Sequence, residues 1–273
     1  MQTGYMAITA VVGLLIGTCD VQATNYTWTG PATGGSWTQA SNNWNAAATP
    51  VWDSDNGSTN SAFFTNTVTV TVGQDVWASN LWVSSGVVLT NNAAYDKINL
   101  STGGSLNFTG GLPAANIYAP LIASNLTVNM RNTAYNTGLR LNGTNTLTGT
   151  VSIRNPTPGA GGLAGVSVAG PWALGTATWD IGNSSSDQSQ LDLTAGYTYT
   201  NTFILHTTPS GGRGRLQMSG TLTVSGSVQL ADNSQVTIYK DGTVTISGNI
   251  TGPYALGFYA YGGGGSKTLW TAA

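Results

Sequence analysis

The chain has 273 residues, only 7% of them charged, with 8 Lys and Arg against 10 acidic residues and a net charge of −2. An ordinary soluble domain carries about 25% charged residues, and this balance argues against nucleic acid as a partner, because phosphate binding needs clustered Lys and Arg. It does not describe a disordered chain either, since 40% of the residues are hydrophobic and nine are Trp, enough apolar surface for a sizeable core.

The acidic residues are all Asp, and no Glu occurs. Glu, Lys and Arg furnish solvated helix faces and rank among the better helix formers. Thr, Val, Asn, Ser and 37 Gly take their place. Thr and Val favour pleated strands, while Gly and Asn supply the corners between them. The composition predicts an all-β protein.

Residues 1–23 read as a secretory signal peptide. The apolar run from Met6 to Ile16, broken by Thr9 and Gly13, is about eleven residues long, too short for a bilayer core that needs roughly 20. It matches a signal h-region, and Val21-Gln22-Ala23 is an acceptable cleavage site. The n-region carries no Lys or Arg, and a buried first strand or helix of the mature fold is the alternative. Cys19, the sole cysteine, would be lost on cleavage, or lipidated on a lipoprotein reading. A cysteine-free exported chain fits a core that does not need disulfides. No second long apolar run follows, so no transmembrane span is expected in the mature chain.

Residues 24–66 form a less regular, aromatic-rich stretch with Tyr26, Trp28, Trp37, Trp44, Phe63 and Phe64, suited to capping the end of a repetitive fold. Within it, Asp53-Ser54-Asp55-Asn56-Gly57-Ser58 superficially looks like a calcium loop. An EF-type loop needs Gly sixth and Glu twelfth, whereas Gly comes fifth here and Phe64 twelfth. A solvated turn is the reading, with weak calcium binding near Asp53 as the alternative.

From residue 67 to 273 short apolar–polar alternation recurs, cut by Gly, Asn and Ser. Examples are residues 67–72 (TVTVTV), 104–108 (GSLNF), 126–130 (LTVNM), 221–224 (TLTV) and 243–246 (TVTI). Alternation over four to six residues marks strands with one buried face. A sandwich would use the breaks as hairpins, for which Asn142-Gly143 and Asp241-Gly242 are the best candidates. A solenoid would use them as corners, with each strand pairing about 20–25 residues later. Even repetition with few hairpin signals favours the solenoid. Outward Thr such as Thr67, Thr69 and Thr71 would suit ice or mineral binding if the array extended over several coils.

The motifs Trp28-Thr-Gly30, Gly35-Ser-Trp37 and Asn43-Trp44, then Ala173-Leu-Gly175 followed by Leu191-Asp-Leu193, and later residues 220–226 (GTLTVSG) and 244–252 (VTISGNITG), resemble bacterial surface proteins that carry autotransporter-associated β-strand repeats. The resemblance covers most of residues 25–252. It implies a right-handed parallel β-helix passenger, exported to the surface and adhesive or structural. As departures from the family pattern, no outer-membrane barrel follows the repeats, and residues 267–270 (KTLW) are a shortened echo of a further strand.

Catalytic chemistry finds little support in the residues. His206 is the sole histidine and no Gly-x-Ser-x-Gly elbow accompanies it, so it reads as a satisfied or surface histidine. One His and no mature Cys leave no zinc site, and no other metal or cofactor is expected. Asp75, Asp96, Asp180, Asp192, Asp232 and Asp241 are scattered singly, as turn caps rather than the paired carboxylates of a glycosidase. Arg131, Arg140 and Arg154 are spaced to lie on neighbouring coils, the one arrangement suggestive of a polysaccharide lyase. Trp77, Trp82, Tyr254 and Tyr259 are the candidate ligand-contact aromatics, since Trp and Tyr faces stack on sugars and anchor interfaces. The alternative is that they cap the core.

The sequence therefore predicts an all-β, right-handed parallel β-helix (solenoid) with an aromatic-rich N-terminal cap. The expected function is a secreted or surface-exposed structural or adhesive module, not an enzyme, with surface glycans or other surface proteins as candidate partners. A carbohydrate-binding or carbohydrate-cleaving β-helix is the alternative.

Overall fold

The computed structural model describes residues 24–38, 42–45, 59–93, 96–132, 136–155, 164–182, 189–206, 214–231, 234–239, 243–254 and 256–261. Residues 1–23, the Asp53 loop, Asp241-Gly242 and the chain after 261 lie outside them.

Period-two alternation becomes alternating burial. In Thr69–Val72 the two Val are buried and the two Thr half-buried, and Thr150–Arg154 repeats the pattern with Val151 and Ile153 inside. Such strands bury one face only. They assemble into a thirteen-stranded, a ten-stranded and a three-stranded sheet. The chain visits three sides in turn: Thr146–Thr148, Thr150–Arg154 and Ala164–Val168 make one coil, and Thr198–Tyr199, Phe203–Leu205 and Arg215–Ser219 make a later one. Each strand pairs in parallel with its counterpart one coil on, so the protein is a parallel β-helix. Among the described residues no helix is long and apolar enough to cross a membrane; Pro171–Ala173 forms one 3-10 turn.

The first side consists of 76–78, 98–100, Leu121–Ser124, Thr146–Thr148, the 3-10 turn and the three-stranded sheet. The second is the main path of the thirteen-stranded sheet, and the third is the ten-stranded sheet. Coil length varies: Val70 pairs with Leu89 and Leu89 with Ile117, while Val168 pairs with Leu193.

The core is a column. On the second side Tyr26, Ala62, Leu81, Leu106, Val128, Ile153, Ile181, Leu205 and Leu230 stack in register, all buried. On the third, Val70, Leu89, Ile117, Leu141, Val168, Leu193 and Met218 do the same. At the N-terminal end the column turns aromatic. Trp28, Trp37, Trp44 and Phe64 pack with ring centroids 5.1–5.7 Å apart. Trp44–Asn45 runs antiparallel to Asn25–Trp28 and covers that edge of the sheet, where an open ladder would invite pairing with another chain.

Asn142-Gly143 is a corner rather than a hairpin. Both backbone N–H groups donate to Ile117 O on the preceding coil, at 2.8 and 3.3 Å. A Cβ on Gly143 would lie 2.6 Å from Tyr118 O, so the residue is glycine because coil meets coil there backbone to backbone. The Thr array also stops early, since Thr71 continues into Thr90 but Thr69 faces Val88.

Two buried amides hold the corners. Asn145 Oδ1 accepts from Leu121 N (2.9 Å) and its Nδ2 donates to Ala173 O (2.8 Å), tying together three successive coils. Asn201 Nδ2 donates to Gly175 O and Ala177 O, each at 3.0 Å. Tyr199 is fully buried and donates to Thr194 O at 2.8 Å; burial pushes its phenol up to about 12.

Asn145→Ala leaves a buried N–H and a buried C=O without partners, and is expected to lower stability by about 3 kcal/mol in equilibrium denaturation followed by circular dichroism. Gly143→Ala forces the coils apart and should cost about 1–3 kcal/mol. A melting curve unchanged by either substitution would contradict the corner packing described.

Candidate functional site

Parallel pairing about 4.8 Å apart places outward side chains of successive coils side by side. On the second side this produces a polar ladder. Asn80 Nδ2 donates to Ser61 Oγ (3.1 Å), Ser105 Oγ to Asn80 Oδ1 (2.7 Å), Asn107 Nδ2 to Ser105 Oγ (2.6 Å) and Asn129 Nδ2 to Asn107 Oδ1 (2.9 Å). Beside it runs an aromatic stack. Phe63 and Trp82 lie opposite each other in register, with ring centroids 5.5 Å apart and planes 12° from parallel. The Arg131 guanidinium sits over the Trp82 ring, 5.3 Å from its centroid. Each such contact is worth about 0.5–1 kcal/mol at a partly exposed site.

Further along the same side the ladder becomes charged. Asp180 lies opposite Ser152 on one coil and Ile204 on the next. Arg154, two residues after Ser152, donates from Nη2 to Asp180 Oδ2 at 2.6 Å and from Nη1 to Asp180 O at 3.2 Å and Ile153 O at 3.0 Å. From the opposite direction His206 Nε2 approaches Asp180 Oδ1 to 2.7 Å. Ser152 Oγ lies 3.5 Å from Oδ2. Burial pushes the Asp180 carboxyl upward, but His206 and Arg154 beside it pull harder the other way and hold it below its ordinary value.

Asp180, expected as one of the singly scattered turn caps, is instead paired with Arg154 and His206 from the neighbouring coils. Arg154 to Asp180 and Asp180 to His206 are each 26 residues apart, one coil, and that equal spacing was the available signal. The three arginines do not share a side: Arg131 and Arg154 are on the second, while Arg140 is on the third, exposed and pairing in register with Asn116. There it borders an open depression of about 450 Å³ with Leu112, Pro113, Ala114 and Asn116. Asp96 accepts from Ala93 N at 3.1 Å, as a turn-capping carboxylate does, whereas Asp75 accepts from Lys97 N on the next coil, also at 3.1 Å.

The four candidate aromatics do not converge. Trp77 is half-buried on the first side, opposite Asn99. Trp82 belongs to the second side, where Phe63 stacks on its ring and Arg131 lies over it. Tyr254 is 44% exposed in the bend after Ile250–Thr251. Tyr259 lies on Leu256–Tyr261, in register with Thr237, its side chain outside the described set. Sequence reasoning passed over a different exposed pair, Trp172 and Tyr197, whose rings meet edge to face at 5.1 Å and whose 25-residue separation is again one coil.

Chemically, the charged cluster can bind and orient but is ordered wrongly for acyl transfer. A nucleophile's base must lie between the hydroxyl and the carboxylate; here Asp180 lies between Ser152 and His206. No group of three His, Cys, Asp or Glu among the described residues could hold a metal ion. Compared with known proteins, the chain matches no family model, no curated protein and no solved structure.

Because the Asp180 carboxyl is lowered in the folded state, its stabilisation is complete above the unfolded value of about 4 and is lost as pH falls through the lower folded value. Asp180→Asn should therefore be about 1 kcal/mol less stable than the native chain at neutral pH, the figure for a partly solvated pair. The gap should close as pH is lowered below about 4. Denaturation series at several pH values would check this, and a gap independent of pH would assign the loss to packing instead.

Proposed function

We propose that this chain is an exported structural or adhesive β-helix module of the bacterial cell surface or extracellular matrix, without catalytic activity. The observation that carries the reading is how outward side chains are engaged along the second side. From Ser61 to Asn129 they bond to one another along the axis, and from Ser152 to His206 they close around Asp180. Groups satisfied in this way stiffen a column instead of converging on a reacting atom. The apolar run 6–16 with its small-residue site at 21–23 supports export. The resemblance of the Trp-rich opening and the later rungs to autotransporter-associated β-strand repeats supports a bacterial surface.

The carbohydrate-cleaving alternative would place its chemistry at Arg154, Asp180 and His206. Both basic groups there are already directed at the one carboxylate, which weighs against a group free to take a substrate proton.

Expression of the full chain beside a version lacking residues 1–23 in a bacterial host tests the reading. The full chain should be recovered outside the cytoplasm beginning at Thr24, and the shortened one should remain inside. An uncleaved, cytoplasmic full chain would overturn the export half. Release of reducing sugar from a polysaccharide, abolished by D180N, would overturn the non-catalytic half.

A further inference from the structure

Among the described residues Trp172 and Tyr197 are exposed aromatics that also hold each other, ring edge to ring face. Trp172 is 40% and Tyr197 36% exposed. The indole lies against Gly170, where a Cβ would come within 2.5 Å of Cη2 and Cζ3. Its backbone is held by Asn145 N donating to Trp172 O at 3.0 Å and by the Asn145 amide on Ala173 O. Tyr197, one coil on, has its carbonyl bonded by Thr223 N at 3.0 Å, and Gly196 N donates to Thr221 O at 2.7 Å. The two rings therefore project from backbone pinned to the preceding coil at Trp172 and to the following coil at Tyr197, with little backbone freedom left to lose on binding.

The surroundings define the ligand chemistry. Exposed Thr144 and Thr146 precede the pair along the axis, and exposed Thr176, Thr198 and Thr221 lie beside and after it. No charged residue occurs in 141–153, 164–179, 193–205 or 216–231, the segments that carry the pair and the threonines beside it; Arg140 and Asp192 lie beyond them on the third side. A phosphate, a uronate or an acidic peptide would find no cation here. A protein partner needs about 800 Å² of its surface covered, whereas among the described residues of these coils the large exposed hydrophobics are these two rings. A pyranose presents the matching combination: an apolar C–H face for an electron-rich ring, and neutral hydroxyls for threonine.

We propose that Trp172 and Tyr197 form a contact site for a neutral glycan, the sugar's C–H face lying on the indole with its hydroxyls bonded to the neighbouring threonines. The site rests on the adhesive form of the function proposed above, and it gives that function a partner class.

The test is affinity electrophoresis of the purified full chain through gels containing a neutral polysaccharide (glucan, mannan or xylan) or an anionic one (alginate or pectate). At least one neutral polymer should retard the chain. Trp172→Ala and Tyr197→Ala should each weaken retardation about tenfold or more, the equivalent of about 1.4 kcal/mol. Trp172→Phe should keep part of it, and Tyr254→Ala all of it. Gly170→Ala, which displaces the indole without removing it, should weaken it as well. Circular dichroism of each variant separates lost binding from lost fold, and Trp172→Phe with Tyr197→Ala decides the matter if Trp172→Ala does not fold. Retardation by no neutral polymer, by anionic polymers alone, or undiminished in the folded variants overturns the site. So does a Trp172-dependent protein partner in the absence of any glycan retention. Because the purified chain is used, failure of export leaves this result untouched, and failure here leaves the export experiment standing.

Discussion

Parallel hydrogen bonding between each strand and its counterpart one coil later governs the position of nearly every group described above. The pairing fixes register, and register decides which side chains share a column. Leu81 lies over Leu106 and Val128 over Ile153 because the backbone between them is paired residue for residue. A slip of one residue would turn a whole strand's apolar set outward. That constraint also dictates the corners, where the chain must change direction while coils remain in backbone contact, as at Gly143 and at the buried amides of Asn145 and Asn201.

The same register acts on the outside. Groups that are distant in sequence become neighbours at one fixed spacing, so weak contacts accumulate in lines. Asn80, Asn107 and Asn129 pass hydrogen bonds from coil to coil, Phe63 and Trp82 stack, and Arg154 and His206 converge on Asp180 from opposite directions. Each contact is small, but neighbours that are held in place anyway lose little entropy in making it. Where the lines lapse, as at Trp172 and Tyr197, ring surface remains for something outside the molecule.

How far the sequence disclosed this depends on the range of the interaction. Strands such as 69–72 and 222–224 were legible because alternation is local. Asn142-Gly143 was ambiguous because a hairpin and a corner ask for the same residues, and only the partner, Ile117 on another coil, separates them. Trp82 read as a free aromatic platform because Arg131, which lies over it, arrives two coils later. Asp180 looked isolated for the same reason. Coil length added to the difficulty: 19 residues separate Val70 from Leu89 but 28 separate Leu89 from Ile117, so no single period finds every partner. Trp172 escaped notice because it sits in a 3-10 turn, outside any alternating run.

Asn145 has a mechanical meaning as well. In a solenoid the bonds between coils point along the axis, so tension applied at the two ends loads the coil interfaces in series, and coils peel away one after another from whichever end yields first. Interfaces not joined by a side chain bonded to both neighbouring coils would part independently, whereas Asn80 and Asp180 on the second side each bridge two of them. At Asn145 a single amide grips the coil on either side, through Leu121 and through Ala173, and two adjacent interfaces must give way together. A rod stretched between a cell and a surface would thus unravel in steps, pausing where one side chain spans two interfaces, and Asn145 sets such a pause on the first side.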